Sequence, residues 1–422
     1  MKKILIIYPH FPPSNLAGVH RSRLFAQHLP TFGWEPIMLT VHEDYYEENI
    51  DKALVSLLPT NLRIEKVKAF KRFLGIGDIG LRAFLQLYRK AKQIITKENI
   101  DFLYIPIPSF YCALLGRFLH SATGIKYGID YIDPWVHQFP GSEKTFSKHW
   151  LSSKIAFILE PIAIKNAKLI TGVAEGYYKS VLDRNPHLYK QSLFAAMPYG
   201  GEALDHLASN NSKKPTYLFA NRKNKIQLVY AGAFLPKSAI PMEEIFIAIA
   251  NNLSSFIDVE FHFIGTGKSL NDPKSFSIKP LAEKYDLWNT IIFEYPARIP
   301  YFDVISHLNQ ADAIFILGST EPHYTPSKVY QAVLSEKPIF AVLHEKSSAS
   351  SILKLANAGV LLTLNENNVL QLHKKFEGAF TAFRKFKNDF RIDQVNSVAF
   401  AEYSAKEVTR KLGNLLDQIT HS

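Results

Sequence analysis

Short apolar runs alternate along this chain with segments whose apolar residues recur every three or four positions. Ile4 to Tyr8 is the first run and reads as a strand. Val19 to Phe32 follows with Phe25, Leu29 and Phe32 at i, i+4 and i+7, the spacing of one helix face. Gly33 predicts the stop of that helix, and Pro36 to Val41 the next strand. Phe102 to Ile105, Tyr127 to Tyr131 and Leu169 to Val173 are further strand candidates. Strands alternating with helices predict a parallel sheet covered on its faces.

A polar, turn-rich stretch at 209–225, opening Ser209-Asn210-Asn211-Ser212-Lys213-Lys214-Pro215, interrupts the pattern and predicts a linker between a domain at 1–208 and one at 226–398. The alternation then restarts. Ile226 to Ala231, Val259 to Ile264, Ile291 to Phe293, Ala313 to Leu317 and Ile339 to Val342 read as strands, with helices at Glu243 to Leu253 and Ser327 to Leu334. The second half repeats the architecture of the first without repeating its sequence. The tail, Ala399 to Ile419, puts Val408, Leu412, Leu415 and Leu416 on a common face, which predicts a helix that caps the second domain or crosses back to the first.

Composition sharpens this picture. A chain of 422 residues is too long for one core and fits two domains, and 47% hydrophobic residues argue against disorder. The single cysteine, Cys112, cannot form an intrachain disulfide and sits in the apolar run Phe110 to Leu115, so a buried, inert thiol is expected. The apolar run at the start is too short for a secretory signal and continues into Pro9-His10-Phe11-Pro12-Pro13. The longest apolar stretch, Phe102 to Gly116, holds Pro106 and Pro108 and is shorter than a membrane span, so a cytoplasmic protein is expected. A net charge of +11 and a pI near 9.3 favour anionic partners. With no zinc finger, RNA-recognition signature or long basic tract, nucleic acid is not expected among them.

The most informative stretch is Thr325-Pro326-Ser327-Lys328-Val329-Tyr330-Gln331-Ala332-Val333-Leu334-Ser335-Glu336-Lys337-Pro338. Pro326 and Ser327 are helix-start residues, and a helix start offers free N–H groups to a diphosphate, with Lys328 adding a full charge and Gln331 one turn on. A capped helix with a solvated lysine fits the same residues. Three further stretches stand beside it: Pro12-Pro13-Ser14-Asn15-Leu16-Ala17-Gly18-Val19-His20-Arg21, Asp130-Tyr131-Ile132-Asp133-Pro134-Trp135, and Tyr230-Ala231-Gly232-Ala233-Phe234-Leu235-Pro236-Lys237. The bland readings of the first two are a tight turn and an Asp-Pro turn.

In order along nearly the whole chain, these stretches resemble the retaining family-four GT-B glycosyltransferases that build bacterial surface polysaccharides. Residues 326–338 are similar to that family's Pro-Ser-Lys-x-x-Glu-x-x-x-x-Gly-Lys-Pro, with Gln331 and Glu336 as the departures. The resemblance implies an α/β fold of GT-B type, two Rossmann-like domains facing across a cleft. It implies a nucleotide-diphosphate sugar as donor and co-substrate, no other cofactor, and a glycan or lipid-linked acceptor. Gly18, Lys237, Gly265, Gly267, Arg298, Thr325, Ser327, Lys328 and Gln331 are the donor-binding candidates it implies, with Arg21, Asp130 and Trp135 on the acceptor side. Asp133 is the catalytic candidate, joined by Glu321 and His323 because the family's paired glutamates fall at His323 and Gln331.

Departure of a nucleoside diphosphate needs charge stabilisation, which helix-start N–H groups and lysines supply without a metal. No Asp-x-Asp metal motif is present, so metal-independent transfer is expected. A binding protein without turnover and a GT-B sugar-nucleotide epimerase are the rival readings. Finally, residues 68–92 interleave Lys68, Lys71, Arg72, Arg82, Arg89, Lys90 and Lys92 with Phe70, Phe73, Leu74, Phe84, Leu85 and Leu87, and Asp78 is the one acidic residue there. Such a stretch predicts peripheral attachment to an anionic membrane, or else an apolar face turned to the core.

Overall fold

The computed structural model describes residues 1–72, 77–137, 144–210, 215–269 and 271–421. The chain divides into two compact units, Met1–Gly200 with Ala405–Ser422, and Gly201–Ser404. The division falls at Gly200, ahead of the expected boundary at 208. Ala203–Asn210 is a helix of the second unit, where Ser209 Oγ donates to the carbonyl of Phe302 at 3.1 Å, so the turn-rich stretch opens inside that unit. Residues 211–214 of that stretch lie outside the described residues.

The first unit holds seven parallel strands, β1 (Lys2–Ile7), β2 (Trp34–Val41), β3 (Arg63–Val67), β4 (Phe102–Ile107), β5 (Tyr127–Tyr131), β6 (Leu169–Gly172) and β7 (Leu193–Ala196), in the order β3-β2-β1-β4-β5-β6-β7. The second holds β8 (Ile226–Ala231), β9 (Val259–Ile264), β10 (Ile292–Tyr295), β11 (Ala313–Leu317), β12 (Ile339–His344) and β13 (Gly359–Leu364), in the order β10-β9-β8-β11-β12-β13. Both are doubly wound Rossmann-like sheets whose order reverses at the first strand. In such sheets ligands bind beyond the carboxyl ends of the strands at that reversal.

Burial on both faces explains the continuous apolar runs: every residue of β4 and of β11 is buried. In the first unit one face packs against helices that include Phe84–Glu98, Ala113–Thr123 and Lys148–Ile164, through Leu87, Leu115 and Ile164. The other face packs against Ala17–His28 and the C-terminal helix Ala405–His421, which supplies Val408, Leu412, Leu416 and Ile419. Lys2 and Trp34 also bond to Asp417 of that helix, at 3.0 and 3.2 Å.

The first helix ends at His28, not at Phe32. Pro30 has no N–H to continue the ladder, so Leu29–Phe32 tightens into a 3₁₀ turn closed by Gly33 at φ 82°. The tail breaks at 402–404 into Ser397–Ala401 and the long helix. Cys112 is buried, and burial raises its thiol pKa.

Candidate functional site

At the carboxyl ends of the second sheet, Lys328 opens the helix Lys328–Leu334 and folds back over the end of β8. Its Nζ donates to Tyr230 Oη at 3.0 Å and lies 4.5 Å from the centre of that ring. Gly232, at φ +132°, makes room: a Cβ there would sit 2.2 Å from Lys328 Cε. Desolvation holds the ammonium below the ordinary lysine value, and the charge of Arg298 lowers it further. Among the described residues no carboxylate pairs with it. A half-buried cation with a second cation nearby and no counter-ion is a place for an anion.

Arg298 runs past Gly265, which turns at φ +72° after β9. Gly267 is required for a different reason: a Cβ there would lie 2.7 Å from the carbonyl of Pro296. Ser327 precedes the helix and makes no side-chain cap bond, whereas Thr325 is buried and shares a 2.6 Å bond with Ser348. Lys237 pairs with Glu321 at 2.9 Å. His323 sits beside that pair; desolvation lowers its pKa and Lys237 adds to the effect, while Glu321 opposes it. Lys237, Glu321 and His323 thus form one cluster.

Gln331 is held by neighbours within its own unit. Its Oε1 accepts from His206 Nε2 at 2.7 Å and its Nε2 donates to Tyr301 Oη at 2.9 Å, and Tyr301 donates to Asp205 at 2.8 Å. The amide expected on a ribose is engaged with the helices Ala203–Asn210 and Tyr301–Gln310.

The first unit separates its candidates sharply. Asp133 is exposed just past β5, and its charge raises the pKa of the buried phenols of Tyr8 and Tyr199, after desolvation. Asp130 and Arg21, expected on the acceptor side, are wholly buried against each other. Arg21 donates through Nε and Nη2 to the two Asp130 oxygens at 2.6 and 2.9 Å, and through Nη1 to the carbonyl of Pro198 at 2.9 Å. Thr171 Oγ1 donates to Asp130 at 2.8 Å. This bidentate pair ties the first helix to β5 and offers no charge to solvent. Trp135 is likewise a core residue, stacked on Phe110 with ring centres 6.0 Å apart. Gly18, expected on the donor, is packed under Tyr8, whose Oη would lie 2.1 Å from a Cβ.

Four residues escaped the sequence reading. Tyr230 and Gly232 lie in a stretch read there for Lys237 alone; the signal was an aromatic at a strand end followed by glycine. His10 and Glu48 are joined at 2.9 Å beyond β1, and Ser14 Oγ donates to the same carboxylate. Burial would raise the Glu48 pKa, but the bonds to His10 and Ser14 outweigh it and hold it at about 2. No sequence spacing announces a pair 38 residues apart.

In the stretch 68–92, Leu87 belongs to the core and Arg82 is buried, bound to Glu47 and to the carbonyl of Phe70. Lys90 pairs with Glu65 and Arg72 with Glu47. Lys68, Phe70, Lys71, Leu85, Arg89 and Lys92 are exposed, and Phe73 and Leu74 lie outside the described residues. No described helix is long and apolar enough to cross a membrane. Among the described residues no group of three His, Cys, Asp or Glu side chains could hold a metal.

No protein-family model and no curated protein matches the chain. Solved structures do. A glycosyltransferase from Rickettsia africae is 16% identical with a TM-score of 0.63, covering 99% of this chain and 98% of its own. The sucrose-phosphate synthase of Thermosynechococcus elongatus is 13% identical with a TM-score of 0.65 over the whole of both chains. Anabaena HepE, solved with UDP, is 13% identical with a TM-score of 0.61, over 99% of this chain and all of its own. At such identities the likeness concerns the fold, and with two doubly wound parallel sheets matched over their full length, that fold is GT-B.

Proposed function

We propose that the chain is a glycosyltransferase that moves a sugar from a nucleoside-diphosphate sugar, bound by the second unit, to a hydroxyl of a glycan or lipid-linked acceptor bound by the first. The observation that carries this is Lys328, a cation without a carboxylate at the strand ends of a nucleotide-type sheet. Lys328 and Arg298 would stabilise the charge that develops on the leaving diphosphate. Lys237, neutralised by Glu321 until a stronger anion competes for it, is the third donor group. Asp133, exposed beyond β5, would orient the acceptor hydroxyl or stabilise positive charge at the anomeric carbon. No carboxylate is placed as a nucleophile in this reading, so retention would come from front-face transfer within the donor–acceptor pair. It needs no metal and no cofactor beyond the sugar nucleotide, and it places the reaction in the cytoplasm. HepE was solved with UDP, which makes uridine nucleotides the first donors to test.

The test is calorimetric titration with UDP, followed by incubation of UDP-sugars with and without acceptor glycans. Transfer to an acceptor supports the proposal. Binding without transfer favours a binding protein, and conversion of the donor without acceptor favours an epimerase. Unchanged UDP affinity in Lys328→Ala would remove the observation on which the reading rests.

A further inference from the structure

A helix at the surface of a globular domain is apolar on one stripe and polar on the other. Lys148–Ile164 breaks that rule. Ala156, Glu160, Ala163 and Ile164 form its core stripe. The opposite side is not polar: Leu151, Phe157, Ile158 and Ile162 are between 43% and 63% exposed, and Phe146 just ahead of the helix is 85% exposed. Scattered exposed apolar residues are ordinary, but five within seventeen positions are not. The neighbouring helices of the same layer continue the feature. An open groove of about 440 Å³ between Phe84–Glu98 and Ala113–Thr123 is lined by Phe84, Leu85, Tyr88 and Phe118.

Charge decides what covers this face. Lys144, Lys148, Lys154 and Lys165 are exposed among the apolar side chains, and among the described residues none of them pairs with a carboxylate. Helices Phe84–Glu98, Ala113–Thr123 and Lys148–Ile164 hold two acidic residues between them. Glu98 is bound by Arg63, and Glu160 is buried and bound by Arg184. The outer side of Lys148–Ile164 therefore presents lysines and large apolar groups with no exposed carboxylate. A second copy of the same face would bring lysine against lysine. An anionic lipid surface matches both halves of the pattern, with ammonium groups at the headgroups and Phe and Ile below them.

We infer that the helix Lys148–Ile164, with the groove that Phe84, Leu85, Tyr88 and Phe118 line in the same layer, seats the first unit on an anionic membrane. The inference does not depend on the catalytic reading, and its test does not use activity. The full chain is sedimented with vesicles of phosphatidylcholine, alone or with about one-third phosphatidylglycerol. Binding to the anionic vesicles only is expected. Phe157→Ser with Ile158→Ser should weaken it by at least tenfold, given the apolar area withdrawn. Lys148→Glu with Lys154→Glu should weaken it by roughly thirtyfold or more, from about fivefold per lysine. Leu355→Ser, an exposed apolar position on the second unit, should leave it unchanged. Circular dichroism and thermal melts check that each variant is folded. Equal binding to neutral and anionic vesicles, or wild-type binding by folded variants at 157 and 158, would overturn the inference. So would light scattering that shows a dimer lost in the Phe157→Ser, Ile158→Ser variant with no vesicle binding by the wild type; the face would then belong to a second copy of the chain.

Discussion

Asp130 and Asp133 stand three residues apart in one motif, yet they should respond to the same substitution in opposite ways. Asp130→Asn leaves the Arg21 guanidinium buried with a neutral partner. One of the two donors that meet the carboxylate at 2.6 and 2.9 Å would then face the amide N–H₂ of the new side chain. Breaking one side of a buried ion pair costs about 3–5 kcal/mol. For a domain of about 200 residues, at roughly 2–4 °C per kcal/mol, the transition of the first unit should fall by about 6–20 °C. Asp133→Asn changes an exposed side chain, and its effect on stability should stay within about 0.5 kcal/mol. Replacing both partners, as Arg21→Met with Asp130→Leu, should recover most of the loss, because no charge is then left buried. Scanning calorimetry on the four proteins decides it. A shift below about 2 °C for Asp130→Asn, or a double variant as unstable as the single one, would refute the reading that this pair is structural. Asp133→Asn should instead lower turnover with little change in UDP affinity; normal turnover would return Asp133 to the scaffold.

Lys328→Ala should weaken UDP binding by about 1.5–3 kcal/mol, the scale of a charged hydrogen bond, and Gly232→Ala, which pushes the lysine chain aside, should approach the same loss by titration. Gln331→Glu, which restores the acid usual in the resembling family, should leave UDP affinity within about twofold, since its partners are His206 and Tyr301; a gain of tenfold or more would show that the side chain reaches the ligand. The lowered pKa of Glu48 stabilises the fold fully above its ordinary value and ceases to do so as pH falls towards about 2. His10→Ala should therefore flatten the acid side of the melting profile, and superimposable profiles would count against the pair. Transfer should persist in the presence of a chelator; loss that is restored by Mg²⁺ or Mn²⁺ would reject the metal-free mechanism.

The fold was legible because parallel strands buried on both faces leave a signal that tertiary contacts cannot disguise, as in Phe102-Leu103-Tyr104-Ile105 and Ala313-Ile314-Phe315-Ile316-Leu317. Strands without that signal were missed. β3 (Arg-Ile-Glu-Lys-Val) is an edge strand with two exposed residues, β7 is the opposite edge with one buried residue, and β13 is only partly covered. Side-chain roles were harder, since a motif fixes residue types and not their directions. In Asp130-Tyr131-Ile132-Asp133-Pro134-Trp135 the strand ends at Tyr131, so Asp130 is still inside the sheet while Asp133 has left it, and Trp135 turns back into the core. A strand covered on both faces leaves no outward position, so Asp130 could have been read as buried, but only with the strand end known to the residue.

The helix Lys328–Leu334 shows the same limit from the other side. Lys328 and Gln331 are three residues apart, the spacing at which side chains share a helix face, and on that ground both were expected at the ligand. Their positions along the axis separate them. Side chains lean towards a helix's N-terminus, so a long one on the first residue reaches beyond the helix altogether. Lys328 does so and meets Tyr230 at the end of β8. Gln331 has a full turn of helix ahead of it and meets the flanking helices through His206 and Tyr301. The property that makes Lys328 a candidate is therefore its place at the terminus together with Gly232, whose missing Cβ leaves the path open. A lysine one turn further in, with the same neighbours in sequence, would be a packing residue.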